Sequence, residues 1–269
     1  MKNILTIAGS DPSGGAGIQA DLKTMCALGV YGMSAITAVT VQNTQAVYDV
    51  QEITADIVAG QITAVFDDIE VHAVKTGMVS SAPIIRAIRR SLLQYRAPNV
   101  VVDPVMVSKS GYKLLRDEAI AAVKELVAIA DVTTPNIPEA EILSGVPITD
   151  DASLEAAARA IAALGAKNVL IKGGHRFGDT ATDVLYCAGE FIRLPAARVD
   201  TKNTHGTGCT LSAAIASRLG LGDTVPDAVA YAKVYISKAI ADSYDLGKGV
   251  GPVGHLAALY RQAGMAVVA

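Results

Sequence analysis

A glycine-rich segment in the last third of the chain combines a thiol with backbone groups that could bind an anion. Residues 201–210 have the sequence TKNTHGTGCT and directly precede an Ala/Leu-rich helical pattern. Their glycines let consecutive N–H groups converge at a helix N-terminus, where the helix dipole favours an anion. The same groups should lower the pKa of a thiol, so Cys209 is expected to be the chemically active cysteine. The neighbouring His205 could act as a general base or hold the loop by hydrogen bonds, and we favour the second role.

A second glycine-rich segment follows the first apolar run. Residues 9–17 have the sequence GSDPSGGAG, with four glycines and an aspartate. Glycines between a strand and a helix allow the backbone to approach a ligand closely. The segment lacks the GxGxxG spacing of a dinucleotide site, and the chain has no GxxxxGKS or GxxxxGKT phosphate loop. It is either a tight turn of small residues or a cradle for a small ligand, and the glycine density favours the cradle.

Three further polar residues stand where predicted strands end. Glu139, in the sequence NIPE, is expected at the start of a helix, where it either complements the helix dipole or organises Mg²⁺ beside phosphates. Lys172 either neutralises nucleotide phosphates or extends its ammonium group into solvent. The amide of Gln42 both donates and accepts hydrogen bonds, which suits an aminopyrimidine edge as well as an ordinary polar turn.

These residues must be positioned by elements whose ends meet in one place. Short apolar runs bounded by turn residues predict strands at 4–8, 35–39, 71–75, 100–103, 131–134 and 169–172. Helical spacing predicts helices at 18–28, 82–95, 117–130, 154–164, 211–219, 227–242 and 255–262. The alternation predicts a mostly parallel sheet covered by helices on both faces. Residues 183–187 and 191–194 flank Ala188, Gly189 and Glu190, which predicts an antiparallel hairpin at the sheet edge.

Composition excludes several classes of function. The 269 residues are 51% hydrophobic and carry a formal net charge of −3, without the basic excess that nucleic-acid binding needs. No apolar stretch approaches the roughly 18 residues of a membrane span. The three cysteines are widely spaced, which disfavours a disulfide framework and a structural zinc site. We expect a cytoplasmic protein with one domain over 1–269, in which Cys26 and Cys187 are small core residues.

Seven segments together resemble the hydroxymethylpyrimidine and phosphomethylpyrimidine kinases of thiamine biosynthesis, which belong to the ribokinase-like superfamily. The resemblance extends nearly end to end, and its specificity comes from seven motifs in the right order. The segments are TIAGSDPSGGAGIQAD at 6–21, VQNT at 41–44, KTGM at 75–78, VDPVM at 102–106, TPNIPEA at 134–140, KGGH at 172–175 and HGTGCT at 205–210.

The resemblance implies a three-layer α/β/α fold in which ATP and substrate meet at the C-terminal edge of the sheet. It implies that Gln42 hydrogen-bonds the pyrimidine and that Asp21 lies near it, in a pocket lined by Ala16, Met78 and Val105. Cys209 occupies the position where most ribokinase relatives carry an aspartate as catalytic base. The anion hole for the transferred phosphoryl group is then formed by the backbone amides of Gly206, Thr207, Gly208 and Cys209.

The resemblance also assigns residues to the cofactors. Asn136 and Glu139 match the NxxE element that organises Mg²⁺ in this superfamily. Lys172 is the expected contact to the ATP phosphates, and Asp103 joins these residues as a cofactor-binding position. A homodimer is the oligomeric state that the resemblance suggests.

The expected activity is ATP-dependent phosphorylation of 4-amino-5-hydroxymethyl-2-methylpyrimidine to its monophosphate and then to its diphosphate. The alternative within the same superfamily is a pyridoxal or pyridoxine kinase of vitamin B6 salvage; Gln42 and Met78 favour the pyrimidine. A non-catalytic ligand-binding protein is disfavoured by intact Cys209, Glu139 and Lys172. A dinucleotide-dependent oxidoreductase is disfavoured by the glycine spacing and by the lack of an acidic residue after the second strand.

Overall fold

The computed structural model describes residues 1–106, 117–175 and 180–266, in which nine strands form one sheet. The strands lie in the order β3-β2-β1-β4-β5-β6-β7-β8-β9. Their bounds are β1 (Asn3–Ser10), β2 (Tyr31–Gln42), β3 (Val47–Glu52), β4 (Ala73–Thr76), β5 (Val100–Val102), β6 (Val132–Thr133), β7 (Val169–Ile171), β8 (Asp183–Cys187) and β9 (Glu190–Leu194).

Helices cover both faces of this sheet. Their bounds are α1 (Gly17–Ala27), α2 (Ala55–Asp68), α3 (Ala82–Gln94), α4 (Ile120–Val127), α5 (Ile137–Ser144), α6 (Asp151–Ala163), α7 (Thr207–Leu221), α8 (Val225–Ala241) and α9 (Ala257–Gln262). Helices α1, α7 and α8 contribute to the apolar core on one face, and α2 to α6 contribute to the core on the other. The predicted three-layer α/β/α fold is confirmed.

The central strands are buried on both faces, which explains why their sequences are mostly apolar. In β1, Leu5 and Ile7 enter the core beneath α2 to α6, whereas Ile4 enters the core beneath α1, α7 and α8. Because successive side chains of a strand point to opposite faces, each strand supports both helical layers. Each fully buried aliphatic side chain stabilises the fold by about 1.5–3 kcal/mol.

Strands β1, β2 and β4 to β7 run parallel, and both ends of the sheet are antiparallel. The predicted edge hairpin is confirmed as β8 and β9. At its turn Ala188 has φ of 51° and Gly189 φ of 86°, so two positive φ values in succession match the right-handed twist of the strands. At the opposite end β3 pairs antiparallel with β2, an arrangement that was not predicted.

Glycines mark the ends of two helices, whereas one strand and one helix were not predicted from the sequence. Gly29 and Gly165 follow α1 and α6 with φ of 74° and 126°, positive values that glycine adopts readily after the end of a helix. Strand β3 and helix α2 were missed, because Gly60 and several β-branched residues interrupt the helical pattern of α2. None of the helices in the described ranges is long and apolar enough to cross a membrane.

The prediction for Cys26 was wrong. Its side chain is exposed, because the buried face of α1 consists of Ile18, Ala20, Asp21, Thr24 and Met25 and leaves Cys26 on the solvent side. Cys187 is half-buried in β8. The loop chemistry of residues 108–112 predicts a lid, but these residues lie outside the described part of the chain. The single domain over 1–269 stays a prediction.

Candidate active site

The C-terminal ends of the parallel strands bring the predicted residues to one edge of the sheet. Loops at this edge follow β1, β2, β4, β5, β6 and β7, and the N-terminus of α7 comes to the same edge. Ligands of open α/β sheets bind at this edge, because the loops after neighbouring strands converge there. The site therefore has three parts: residues 9–17, which we name the glycine loop, together with α7; a charged cluster after β5 to β7; and the end of β2.

The glycine loop and the start of α7 touch backbone to backbone. Gly206 has φ of 80°, and a Cβ atom on it would lie 1.8 Å from the carbonyl oxygen of Gly15. A Cβ atom on Gly15 would lie 2.4 Å from the His205 ring. Any larger residue at either position would push the two segments apart. The glycines of residues 9–17 therefore serve this contact, and the cradle for a small ligand stays a prediction.

Asp11 organises the glycine loop from within. Its Oδ1 accepts hydrogen bonds from the N–H and hydroxyl of Ser13, and its Oδ2 from the N–H groups of Gly15 and Ala16. His205 Nε2 lies 2.8 Å from the same Oδ2. Burial raises the pKa of Asp11, but the hydrogen bonds from His205 and Ser13 bring it below its ordinary value. The loop-holding role predicted for His205 is confirmed by this contact.

Two amides at the start of α7 are available to an anion. Thr207 donates its N–H and its hydroxyl to the carbonyl oxygen of Thr204, at 3.3 and 2.8 Å. The N–H groups of Gly208 and Cys209 have no backbone acceptor within the described part of the chain. Because the first turn of a helix leaves its amides unpaired, these two N–H groups point out of the helix end. Thr207 belongs to this turn, but its amide is directed back to the loop.

The pKa of the Cys209 thiol moves opposite to the prediction. Burial raises it to about 11, and the carboxylates of Asp21 and Asp103 add to the increase. The ammonium of Lys75 and a hydrogen bond from the Gly17 N–H lower the pKa, but by less. The helix terminus alone suggested a reactive thiolate; the tertiary structure adds a dry environment with two buried carboxylates, which favours the neutral thiol.

A charged cluster follows β5, β6 and β7. Lys172 Nζ lies 2.9 Å from Asp103 Oδ1 and 4.0 Å from Glu139 Oε2. Thr134 donates its hydroxyl to the same Asp103 oxygen at 3.0 Å, and Ser212 Oγ is 3.4 Å from Oδ2. The Lys172 side chain is 16% exposed, so it is not extended into solvent and that alternative is wrong.

Lys172 determines the charge state of this cluster. Burial lowers the pKa of Lys172. The charges of Asp103 and Glu139 and the hydrogen bond to Asp103 raise it, and the net result is a pKa above its usual value. Burial also opposes ionisation of Asp103, yet the ammonium groups of Lys172 and Lys75 hold its pKa below the ordinary value. For Glu139 burial dominates and raises the pKa. A cation and carboxylates therefore lie side by side, close to the two unpaired amides of α7.

Asn136 and Glu139 form a capping box at the start of α5. Asn136 Oδ1 accepts from the Glu139 N–H at 2.9 Å, and Glu139 Oε2 accepts from the Asn136 N–H at 2.8 Å. The second carboxylate oxygen, Oε1, is 3.4 Å from the Met106 N–H. The role of Glu139 at a helix start is thus confirmed. In the described residues no group of three or more His, Cys, Asp or Glu is placed to hold a metal ion by itself.

Gln42, at the end of β2, lies between the glycine loop and α7. Its Oε1 is 3.3 Å from the Thr40 hydroxyl, and its Nε2 is 3.4 Å from His205 Nε2. When His205 donates its Nε2 proton to Asp11, it cannot also accept from Gln42, so the Gln42 amide keeps a free donor. The structure thus places an amide with free hydrogen-bonding capacity beside the glycine loop.

Two of the remaining pocket candidates, Ala16 and Met78, lie in or against the glycine loop, and the third, Val105, follows β5. A Cβ atom on Gly9 would lie 3.2 Å from the sulfur of Met78, which is buried. Ala16 is the half-buried N-cap of α1, and Val105 is half-buried two residues after Asp103. These side chains are small or apolar, as a pocket for a flat heterocycle requires.

Asp21 is fully buried and its carboxylate is occupied. Lys75 Nζ lies 3.0 and 2.8 Å from its two oxygens, and the Thr6 hydroxyl donates to Oδ2 at 2.6 Å. Burial lowers the pKa of Lys75, but the charges of Asp21, Cys209 and Asp103 together with the hydrogen bond to Asp21 more than offset this and raise it. Asp21 can therefore influence a ligand only through Lys75. Lys75 was not among the predicted site residues; its signal in the sequence is a lysine within the otherwise uncharged strand AVKT.

A second ion pair that was missed supports the segment after Lys172. Asp183 Oδ1 accepts from the Gly173 N–H at 2.8 Å, and Asp183 Oδ2 pairs with Lys233 Nζ at 2.8 Å. A Cβ atom on Gly173 would lie 1.8 Å from the carbonyl oxygen of Thr182. The backbone beside Lys172 is thereby fixed to β8 and α8.

Comparison with known proteins agrees with this geometry. A family model described as phosphomethylpyrimidine kinase matches residues 11–254. The chain belongs to the phosphomethylpyrimidine kinase family. The resemblance inferred from the seven sequence segments is thereby confirmed.

Individual members of this family are similar over nearly the whole chain. The hydroxymethylpyrimidine/phosphomethylpyrimidine kinase of Rhizobium meliloti is 52% identical, over 93% of this chain and 96% of that protein. The thiamine biosynthesis bifunctional protein ThiED of Geobacter sulfurreducens is 50% identical over 95% of this chain, which spans 52% of the length of that protein. The Bacillus subtilis pyridoxal kinase, solved as an ADP complex, has a TM-score of 0.90 and 41% identity, covering 96% of this chain and 99% of that one.

The contact between Gly15 and Gly206 predicts unequal effects of two glycine substitutions. Gly206→Ala should lower kcat at least about 100-fold, as loss of an anion-hole donor does, because the added methyl group displaces the start of α7. The matched control is Gly29→Ala, since Gly29 has φ of 74° and open space around its Cβ position. That variant should lose about 1–2 kcal/mol of stability and keep its kcat. Equal kcat values for the two variants would contradict the prediction.

For the buried pair of Asp21 and Lys75, we predict that replacing one partner lowers the stability of the protein more than replacing both by apolar residues. Asp21→Asn should destabilise the protein by about 3–5 kcal/mol, because it leaves the Lys75 ammonium buried without a counter-charge. The double variant Asp21→Leu with Lys75→Met should recover most of that loss. Urea denaturation curves measure both values. A double variant no more stable than Asp21→Asn would show that packing, and not the uncompensated charge, dominates.

Proposed function

We propose that this protein transfers the γ-phosphoryl group of ATP to 4-amino-5-hydroxymethyl-2-methylpyrimidine and then to the resulting monophosphate, in thiamine biosynthesis. The observation that carries the proposal is the meeting of Gln42, the start of α7 and the Lys172 cluster at one sheet edge, in a chain of this family. The Rhizobium meliloti relative, named hydroxymethylpyrimidine/phosphomethylpyrimidine kinase, supports both phosphorylations by its name.

ATP phosphates would lie between α7 and the charged cluster. A Cβ atom on Gly208 would be 3.5 Å from both Lys172 Nζ and Asp103 Oδ2, so the cluster directly adjoins the start of α7. The N–H groups of Gly208 and Cys209 would stabilise the charge of the transferred phosphoryl group, with Gly206 and Thr207 shaping the turn. Lys172 would exchange part of its contact with Asp103 for a phosphate oxygen. Such transfers depend mainly on positioning and charge stabilisation.

The carboxylates fit a hydrated Mg²⁺ better than a directly bound one. Glu139 already accepts two backbone hydrogen bonds, which leaves lone pairs for the water ligands that Mg²⁺ retains. Asn136 would orient Glu139 through the capping box, and Asp103 would add charge nearby. Bound with ATP, Mg²⁺ supplies neutralisation of the phosphate charge.

The pyrimidine would lie beside the glycine loop. Its amino group and ring nitrogen would pair with the Gln42 amide, whose Oε1 lies 3.3 Å from the Thr40 hydroxyl. Ala16, Met78 and Val105 would line the ring. Asp21 would act indirectly by holding Lys75 near Cys209, where the ammonium lowers the pKa of the thiol. The hydroxymethyl group would then face Cys209 and the anion hole.

A coupled ADP-release assay tests the activity and the role of Gln42 together. With ATP and Mg²⁺, the pyrimidine and its monophosphate should both be turned over with kcat/KM well above that for pyridoxine. Gln42→Leu should lower kcat/KM for the pyrimidine by about 10- to 200-fold, since it removes the hydrogen bonds to the ring edge. Preference for pyridoxine would assign the protein to vitamin B6 salvage.

The pyridoxal kinase alternative rests on one observation, the TM-score of 0.90 to the Bacillus subtilis enzyme. Pyridoxine is also a flat nitrogen heterocycle with a hydroxymethyl group. The same assay decides between the two, because Gln42→Leu should leave a true pyridoxine kinase less impaired than a pyrimidine kinase.

Cys209 should matter for the first phosphorylation and not for the second. A pKa of about 11 leaves roughly one thiol in ten thousand ionised at pH 7, and this fraction rises tenfold per pH unit. If the thiolate is the base, kcat for the hydroxymethyl acceptor should rise steeply between about pH 7 and 9. The monophosphate is already ionised, so its kcat should change little.

The variant Cys209→Ala separates the two steps. It should lower the first kcat by about 100-fold or more and abolish its pH dependence, while the second kcat stays within a few-fold. Cys187→Ala, which removes a half-buried thiol in the edge hairpin, is the control and should leave both steps unchanged. Equal losses in both phosphorylations would exclude Cys209 as the base.

We also propose a homodimer in a reducing cytoplasm. The antiparallel extension of β2 with β3 exposes Val39, Val41 and Tyr48 by 46, 56 and 60%. An exposed apolar strand pair of this kind is suited to burial against a second copy. All three cysteines are free thiols, which supports a reducing compartment. Sedimentation equilibrium of the purified chain tests the oligomeric state.

A further inference from the structure

The sequence GKGVGP at 247–252 has no role in the proposed mechanism, yet it runs between two parts of the site. It lies between α8 and α9, and we name it the glycine strap. Three of its six residues are glycines, and a Cβ atom on any of these three would come within 2.5 Å of a neighbouring atom. The strap therefore follows a path that only glycine permits at those positions.

One side of the strap holds the turn that follows Gln42. The Val250 N–H donates to the carbonyl oxygen of Thr44 at 2.8 Å, and the Gly249 N–H donates to its hydroxyl at 3.2 Å. A Cβ atom on Gly249 would lie 2.0 Å from the Thr44 carbonyl oxygen. Thr44 stands two residues after Gln42, so the strap fixes the backbone from which the Gln42 side chain extends.

The other side of the strap holds the segment that leads into α7. The Gly251 N–H donates to Asn203 Oδ1 at 3.0 Å, and the Gly251 carbonyl accepts from the His205 N–H at 3.0 Å. Asn203 is buried, and its Nδ2 donates to Asp245 Oδ1 at 2.7 Å. Pro252 then packs on the glycine loop, its Cβ 3.3 Å from the Cβ position of Gly15.

The two sides are separated by a single peptide unit. Val250 binds Thr44 and the next residue, Gly251, binds Asn203, so consecutive N–H groups bind the two site segments. Consecutive Cα atoms lie about 3.8 Å apart, which leaves almost no slack between the segments. A displacement at one contact must therefore be transmitted to the other.

We propose that the glycine strap couples pyrimidine recognition at Gln42 to the phosphoryl-transfer geometry at the start of α7, with Thr44 and Asn203 as positioning residues. The proposal rests on the proposed function for the identity of the acceptor. Thr44 positions Gln42, and Asn203 positions His205 and Gly206. Misplacement of a reacting group by about 1 Å can cost 100-fold in rate, so small shifts of either segment are measurable.

Each single substitution should act mainly on its own segment and more weakly on the other. Thr44→Val keeps the side-chain shape but removes the acceptor for the Gly249 N–H; it should raise KM for the pyrimidine about tenfold and lower kcat about threefold, with the ATP KM within about twofold. Thr44→Ser keeps the hydroxyl and should restore both values. Asn203→Ala should lower kcat about tenfold for both acceptors and raise the pyrimidine KM about threefold.

The control for Thr44→Val is the same substitution away from the site. Thr54 caps α2 by accepting from the Ile57 N–H at 3.5 Å, so Thr54→Val should lower stability without changing either KM. If Asn203→Ala does not fold, Asp245→Ala replaces it, because it removes only the carboxylate that holds the Asn203 amide. The Asp245 side chain is 72% exposed, so its truncation is tolerated.

The double variant Thr44→Val with Asn203→Ala tests the coupling itself. Once one contact is lost, the strap no longer transmits a displacement from the other contact. The combined loss in kcat/KM should therefore be at least about fivefold smaller than the product of the single losses. Multiplicative losses would overturn the proposal, as would a Thr44→Val KM equal to that of the Thr54→Val control. If the wild-type protein uses pyridoxine instead of the pyrimidine, the proposed function fails, while the same cycle measured with pyridoxine still decides the coupling.

Discussion

The contact on which the site depends is the backbone approach of Gly206 to Gly15. It joins the loop after the first strand to the start of α7, two segments that come together only when the sheet is complete. Asp11 and His205 reinforce the contact from the side, because their hydrogen bond links the same two segments. The unpaired amides at the start of α7 and the Cys209 thiol take their positions from this junction, and the Gln42 amide lies beside it, 3.4 Å from His205.

Charge at the site is arranged around two buried or nearly buried lysines. Lys75 is paired with Asp21 beneath the thiol, and Lys172 is paired with Asp103 beside the helix start. Pairing offsets part of the desolvation cost of these ammonium groups and keeps them ionised. The same burial raises the pKa of Cys209, so the site is suited to stabilising transferred negative charge more than to holding a permanent thiolate.

The glycine strap, in the C-terminal part of the chain, connects two segments of the site through its backbone. It contributes no side chain to catalysis, but its backbone amides bind Thr44 and Asn203 from consecutive positions. Rigid backbone contacts suit a reaction whose rate depends on alignment of phosphate and acceptor more than on strong acid–base chemistry. In the proposed function, recognition of the pyrimidine and transfer of the phosphoryl group then depend on the same backbone contacts.

The sequence by itself determined the features that arise from neighbouring residues. Alternating apolar runs and helical segments predicted the layers, Ala188 and Gly189 the hairpin, and Asn136 with Glu139 the helix start, since these signals act over a few residues. Only the tertiary structure decided that Asp21 faces Lys75, 54 residues away, and that His205 meets Asp11, 194 residues away. It also reversed the expected pKa shift of Cys209 and left Cys26 exposed, because burial and electrostatic neighbours depend on which distant segments pack together.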